Sequence, residues 1–580
     1  MRALSRRSDV EASVSRVSGR PDVRASVSRV FGRSDVQASA KGVSGRPDVR
    51  ASVSRVFGRS DVQASLVAGI GSLIWLIAGV RTPDLAAQSY RVGLFEREGF
   101  AIWDNNWYAG HHVPAYSLLY PPLGALVGMR VVGVLAAVVA AFCFARLAEA
   151  HFGRGARVGI LWFGLATVAD LAIGRLTYAL AAAIGLAAVY AASRRRLVVT
   201  VVLAVVCGVA SPLAGVFVGM AAAAIVVGGW PERDLGLRRA AFCLGVPAVG
   251  AGLALTIAFG EGGREPFGSR SLIAAVVATV GFVVFVPRRE RILRAGGWLY
   301  LVGTVGSFVL VTPIGDNTTR VGADFAGPVL ACAVLNRRGW PSRLGALTGA
   351  VLVGLFAWQW NAPVDELAKG VGDRVSRPST YTGLLAYLGA HDRGPGRLEV
   401  TFTRSHWEAA ILAPRYPLAR GWEKQLDTAD DGLFYGHSLS SAAYHAWIDR
   451  LGVRYVVVST GPLDAASKLE AKLVLGGLPY LRPVYSNRDW RVFAVVDPTR
   501  MASRPGTMTG LGGQSFTVRF SRPGTSVVRV RFSPYWQAGS ACVGSGPDGF
   551  TSVTSKRAGV VRVRIGFSVG RIFDHGVRCG

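Results

Sequence analysis

Apolar runs long enough to approach the width of a bilayer recur through the middle of the chain, separated by short polar loops. A membrane helix takes about 17–25 mainly apolar residues. With soft edges, eleven segments fit this pattern: 66–80, 123–144, 158–172, 176–192, 197–210, 213–229, 240–259, 272–286, 298–311, 323–335 and 344–360. Several are short, so the count carries a margin of one or two. After residue 361 the hydropathy falls. There RLEVT predicts a strand closing at Thr401, SSAAYHAWIDRLGV an amphipathic helix, and YVVVS another strand. LRPVYSNRDWRVFAVV predicts a hairpin around Asn487 and Arg488. From about Ser515 the alternation is strictly period two, as in SFTVRFS, SVVRVRFS and VVRVRIGFS, with Gly/Pro turns between. That predicts a small β-sandwich.

The first 65 residues follow a third pattern. They run in 13-residue units, and residues 18–30 recur unchanged at 44–56. Isolated Val and Ala among Ser and Arg cannot bury enough surface to offset ordering entropy, so 1–65 is predicted to be disordered. Two roles stay open for it: an Arg-rich arm drawn to anionic headgroups, or a tandem expansion without function. The predicted organisation is therefore 1–65 disordered, 66–360 membrane helices with a long loop at 81–122, 361–500 an α/β region, and 501–580 the β-sandwich.

Charge decides which side each loop faces. The chain has 580 residues, 51% hydrophobic and 17% charged, with a formal charge of +29. Alternate loops carry the basic clusters: the N-terminal arm, Arg146/Arg154/Arg157, Arg194/Arg195/Arg196, Arg233/Arg238/Arg239, Arg288/Arg289/Arg291/Arg294 and Arg337/Arg338/Arg343. By the positive-inside rule the N-terminus is cytoplasmic, and an odd number of spans puts everything after Asn361 outside. Much of the positive charge is thus a topology signal. A water-soluble cytoplasmic enzyme is excluded, and nucleic acid is not an expected partner.

This topology gathers polar residues on the outer side: Asp84, Asp104, His111, His112, Arg175, Arg264, Glu265, Asp316 and Arg320. Asp170 and Arg175 are expected in a tight outer turn, because a charge at the bilayer centre costs about 2.5–3.5 kcal/mol. Thr82 suits an N-cap and Pro83 a first helical position, so Asp84 falls in the first turn of a helix running to about Glu98. The six cysteines show no metal-ligand spacing. Cys542 and Cys579 alone lie outside the apolar segments, and an outer compartment permits a bond between them. His111 and His112 are adjacent and project differently, which favours packing over metal binding. Trp103, Trp107, Tyr108, Tyr116 and Tyr120 read as an interfacial belt, with sugar stacking as the other reading.

The layout resembles the GT-C class of integral-membrane glycosyltransferases, which carry a long first outer loop with an acidic residue just after helix 1. The residues that carry the resemblance are Asp84 in TPDLAAQ, the WDNNWYAGHHVPAYSLLYPP stretch, Gly174 with Arg175, and Gly315, Asp316 and Asn317 with Arg320. The WEKQLD, LFY and GVRYVVVS elements between Trp422 and Ser459 look like bacterial relatives in the neighbourhood of the YfhO-like membrane proteins. Many members have paired acidic residues in the first loop, whereas here Leu85 and Ala86 follow Asp84.

The resemblance implies a multi-pass bacterial plasma-membrane enzyme. It would transfer a sugar, with inversion, from a polyprenyl-phosphate donor to an envelope glycan or glycolipid acceptor. It implies Asp84 as general base, with Asp104 in reserve. It implies Arg175, Arg320 and Asn317 at the donor phosphate, and Trp103, Trp107, Tyr108 and His111 at sugar or acceptor. No cofactor is implied with certainty, and divalent-metal use stays open. A multi-pass transporter and a non-catalytic scaffold of the same fold are the competing expectations.

Overall fold

The computed structural model describes residues 59–230, 234–335, 342–392 and 394–580. All but the tail of the N-terminal repeats therefore lies outside the described residues. Each of the eleven apolar segments overlaps a helix: Ser60–Ala78, Met129–Phe152, Arg157–Ile173, Leu176–Ser193, Leu197–Ala210, Pro212–Gly228, Leu235–Phe259, Ser269–Phe285, Arg291–Val309, Thr319–Val334 and Ser342–Gly370. Five stretches among the described residues are long and apolar enough to cross a membrane: Ser60–Ala78, Met129–Ile173 taken as one, Leu176–Ser193, Leu235–Phe259 and Arg291–Val309. Leu197–Ala210, Pro212–Gly228 and Ser269–Phe285 are apolar but shorter.

The first helix starts at Ser60, six residues before the predicted edge. The extra turn has an electrostatic cause. Asp61 lies buried in the first turn, paired with Arg59 at 2.8 Å and with Arg146 of the next apolar helix at 3.4 Å. Small residues bring the helices together. A Cβ at Gly208 would stand 2.3 Å from the Ala248 carbonyl, so glycine lets the backbones of Leu197–Ala210 and Leu235–Phe259 touch. Large apolar side chains such as Ile74, Val246 and Leu253 point outward instead.

The predicted first loop is largely structured. Helix Pro83–Glu98 opens it, with Pro83 in the first position and Thr82 at the N-cap position, though the Thr82 hydroxyl makes no capping hydrogen bond. A short antiparallel ladder follows, β1 (Trp103–Asp104) against β2 (His111–His112), pairing Trp103 with His112 and Asp104 with His111. Helix Tyr120–Val127 closes it.

Beyond the apolar helices lies a four-stranded sheet of β3 (Arg397–Val400), β4 (Val453–Ser459), β5 (Leu481–Ser486) and β6 (Trp490–Val495), ordered β3-β4-β6-β5. β3 and β4 run parallel, and β4–β6–β5 are antiparallel. The crossover includes helix Ser441–Leu451, capped by the Ser440 hydroxyl accepting from the Ala443 amide and ended by Gly452 at φ 66°.

The last region has eight strands: β7 (Gly506–Gly512), β8 (Ser515–Phe520), β9 (Gly524–Arg531), β10 (Trp536–Ala538), β11 (Ala541–Ser545), β12 (Phe550–Ser555), β13 (Gly559–Ile565) and β14 (Arg578–Cys579). They form two sheets, β10-β13-β8-β7 and β14-β11-β12-β9. Phe516, Val518, Val561 and Val563 of one sheet and Val528, Val530, Val543 and Val553 of the other share one core. The period-two alternation of the sequence thus supplies both inner faces. Cys542 and Cys579 are register partners on β11 and β14 and are disulfide-bonded.

Candidate functional site

Helix Arg157–Ile173 ends at Gly174, which has φ 98°. A Cβ there would lie 2.6 Å from the Leu85 amide nitrogen and 3.0 Å from Thr82 Oγ1. Glycine is therefore what lets this turn rest on the N-terminal end of helix Pro83–Glu98. The next residue, Arg175, then brings its Nε to 3.6 Å from Asp84 Oδ2. The Arg175 guanidinium also lies within electrostatic reach of Asp170, Asp316 and Asp324.

Arg320 joins from the first turn of helix Thr319–Val334. It donates to Asn317 Oδ1 and sits over the Tyr178 ring at 5.6 Å. Tyr178 donates its hydroxyl to Asp324 Oδ2 at 3.1 Å. Asp170, still inside its helix, feels both Arg175 and Arg320. The predicted residues Asp84, Arg175, Asn317 and Arg320 are thus brought together from three separate parts of the chain.

Two further residues complete the group. Glu265 was legible in the sequence as outer-facing, but nothing there gave it a role. Its backbone amide donates to Thr312 O at 3.1 Å, and the turn at Gly315 presses against it, since a Cβ at Gly315 would lie 2.2 Å from Glu265 O. The side chain is nearly buried. Burial, with the Asp316 charge beside it, pushes the carboxyl up to about 8, against the opposing charges of Lys424 and Arg320. Lys424 is the second addition, and it comes from the α/β region. The residues before it clamp the same helix end. Trp422 Nε1 donates to Pro83 O at 3.0 Å, His406 stacks on Trp422 with centroids 3.4 Å apart, and Arg91 pairs with Glu423 at 2.5 Å. Only the tertiary fold reveals this approach, because over 300 residues separate Pro83 from Trp422.

The remaining candidates lie inside the packed first loop. Asp104 is fully buried, accepting from the Tyr90 hydroxyl at 2.7 Å and the Asn106 amide at 3.0 Å, and burial pushes it up to about 6. Trp107 stacks on Tyr90 at 4.2 Å and donates to Ala409 O at 3.2 Å. Trp103 donates to Asn105 Oδ1 at 2.7 Å and meets Trp536 edge-on. Tyr108 donates to Glu423 O and accepts from the Glu423 amide. Burial pushes His111 down to about 4, so it is neutral at ordinary pH. These rings face protein rather than a lipid interface or an open sugar site. Among the described residues no group of three or more His, Cys, Asp or Glu is placed to hold a metal ion.

Beneath the charged group an apolar cavity of about 460 Å³ runs through the helices. Tyr178, Tyr300 and Gly322 line it near Arg320, while His151, Arg289 and Glu290 line its far end. There Glu290 is held by His151 at 2.7 Å and Arg289 at 3.1 Å.

No family model matches the chain, and no curated protein matches it. Among solved structures it is similar to the arabinofuranosyltransferase AftD from Mycobacteria, seen by cryo-EM, at 14% identity and a TM-score of 0.43. The match covers 87% of this chain and 60% of that one, so the chain spans less than two thirds of that protein's length.

Proposed function

We propose that the chain is a multi-pass membrane glycosyltransferase of GT-C-like fold. In this reading it has eleven spans, a cytoplasmic N-terminus, and an outer α/β domain and β-sandwich. It moves a sugar from a polyprenyl-phosphate donor to an outer-face envelope acceptor. One observation carries the reading: Asp84 and Arg175 stand 3.6 Å apart, beside Arg320, where Tyr178 links the charged group to a long apolar cavity. A lipid phosphate needs cations at the headgroup level and an apolar path for its chain, and this arrangement offers both.

In the proposed step Asp84 takes the proton of an acceptor hydroxyl while that oxygen attacks the anomeric carbon. The bond from anomeric carbon to phosphate oxygen breaks, and the electron pair leaves with the lipid phosphate. Arg175, Arg320 and Lys424 stabilise the charge that collects there. Arg175 also orients the Asp84 carboxylate. That same ion pair favours a second reading, in which Asp84 only orders the helix start and the chain is a scaffold.

The test is transfer from a panel of radiolabelled polyprenyl-phosphate sugars by the reconstituted full chain. With Asp84→Asn, product should fall at least about 100-fold while the protein accumulates and melts normally. Undiminished product would leave Asp84 a structural residue, and no product from the native chain with any donor would remove the enzyme reading.

A further inference from the structure

The β module breaks its own pattern after β13. In residues 566–577 the alternation stops, and Phe567, Val569, Phe573 and Val577 point outward, with Phe573 83% exposed and Val569 and Val577 each 69%. Single exposed apolar residues are ordinary, but here four fall within eleven positions. The segment is held in shape. Arg571 donates to Pro534 O at 3.0 Å, to Asp574 Oδ2 at 3.0 Å and to Gly576 O at 2.6 Å, and the Cys542–Cys579 bond closes its base. The apolar groups are therefore presented on a fixed hook.

The hook sits at the C-terminal end of an apolar helix, the outer end in the proposed topology. The Phe567 ring lies 5.4 Å from Phe259 and 5.4 Å from Tyr535, and Tyr535 donates its hydroxyl to Ala258 O at 2.7 Å. Phe259 ends helix Leu235–Phe259, one of the stretches fit to cross a membrane. On that helix Val246, Val249, Leu253 and Ile257 form an outward stripe at helical spacing. The hook meets this helix at its end, where Phe567 packs on Phe259.

We propose that the 566–577 hook dips into the outer leaflet and fixes the height of the β module above the membrane, its occupant being phospholipid at the glycerol level. The inference rests on the membrane position of helix Leu235–Phe259 and stands apart from any catalytic role. Its effect reaches the first loop, because the module carries that loop through His112 Nε2 and Ser533 Oγ at 2.9 Å and through the Gly512 carbonyl, which accepts from Asn105 at 2.7 Å.

The experiment uses the full chain in phospholipid nanodiscs. Cys143, Cys207 and Cys332 are buried and Cys542 and Cys579 are bonded, so Cys243→Ala leaves a clean background for one introduced thiol. An environment-sensitive fluorophore on Phe573→Cys should emit at shorter wavelength than one on Thr509→Cys. It should be quenched by phospholipid brominated near the glycerol end, and be several-fold less quenched by aqueous iodide. Equal iodide quenching at both sites would overturn the proposal. So would protection from both quenchers, which would mean that a protein surface covers the hook. Should the labelled variant fold poorly, a photoactivatable phospholipid can be crosslinked to the native chain, and absence of lipid on peptides spanning 566–577 would also overturn it.

Discussion

Arg175 reaches Asp84 because Gly174 rests its turn against the backbone of Leu85. The ion pair is thus set by a glycine and not by the charges alone. Gly174→Ala should bring a left-handed penalty of about 1–2 kcal/mol and overpacking of about 1–3 kcal/mol. A lowered melting temperature should accompany displacement of Arg175 and loss of the proposed transfer. Unchanged melting would mean that the turn is looser than its contacts indicate.

Glu265 should make stability depend on pH in an unusual direction. Its carboxyl titrates at about 8 in the fold, raised by burial and by Asp316, against an ordinary value of 4.5. Between these values the unfolded chain releases a proton that the folded chain keeps. Stability should therefore be fullest below about 4.5 and fall as pH rises through about 8, by a few kcal/mol at most. Glu265→Gln should flatten that slope in melting curves from pH 5 to 8.5. Parallel slopes for both chains would show that Glu265 is ordinarily ionised.

The paired residues Asp104 and His111 pull in opposite directions. Asp104 titrates at about 6 rather than 3.8, so its contribution grows as pH falls from about 6 to 3.8. His111 titrates at about 4 rather than 6.5, so its contribution is lost on acidification from about 6.5 to 4. The two windows nearly coincide, and their effects largely cancel. Asp104→Asn keeps an acceptor for Tyr90 but removes one side of the balance. The variant should become acid-labile between pH 6.5 and 4, by on the order of 3 kcal/mol, while the native loop stays level. Protease sensitivity of the 99–122 loop against pH reports this directly.

Arg420 holds the α/β region from inside. It is almost fully buried, gives two hydrogen bonds to Asp427 at 2.9 and 2.6 Å, and faces Glu399 at 3.9 Å and Glu470 at 3.6 Å. Phe402 and Phe434 flank its guanidinium. Arg420→Leu would leave Asp427 buried without its cation, at a cost of about 3–5 kcal/mol. Proteolysis should then cut between residues 397 and 495 in the variant and spare the native chain.

How much of this was legible depended on the range of the forces involved. The helix at Pro83, the strand at Tyr455 and the hairpin around Asn487 follow from local signals, and the structure places elements there, the strand starting two residues earlier at Val453. The first helix begins early because Asp61 finds Arg146, a partner 85 residues away. The aromatics of the first loop misled for a related reason. A ring at a lipid interface and a ring under another domain look alike in sequence, and Trp107 finds its cover in Ala409, 302 positions on. Glu265 and Lys424 were visible as charges, but burial gives Glu265 its character and no short window of sequence contains it.

The dependence of the first loop on distant partners sets an order of events during synthesis. Tyr108 O is met by Arg531 and the Asn105 amide donates to Gly513 O, contacts spanning more than 400 residues. At about 5–20 residues per second, roughly 20–80 s pass between emergence of the loop and emergence of those partners. For that interval Trp103, whose ring meets Trp536, lacks the module that covers it, whereas Trp107 is covered earlier by the α/β region. Until the β module is finished, the newborn chain therefore exposes an indole that the completed protein buries.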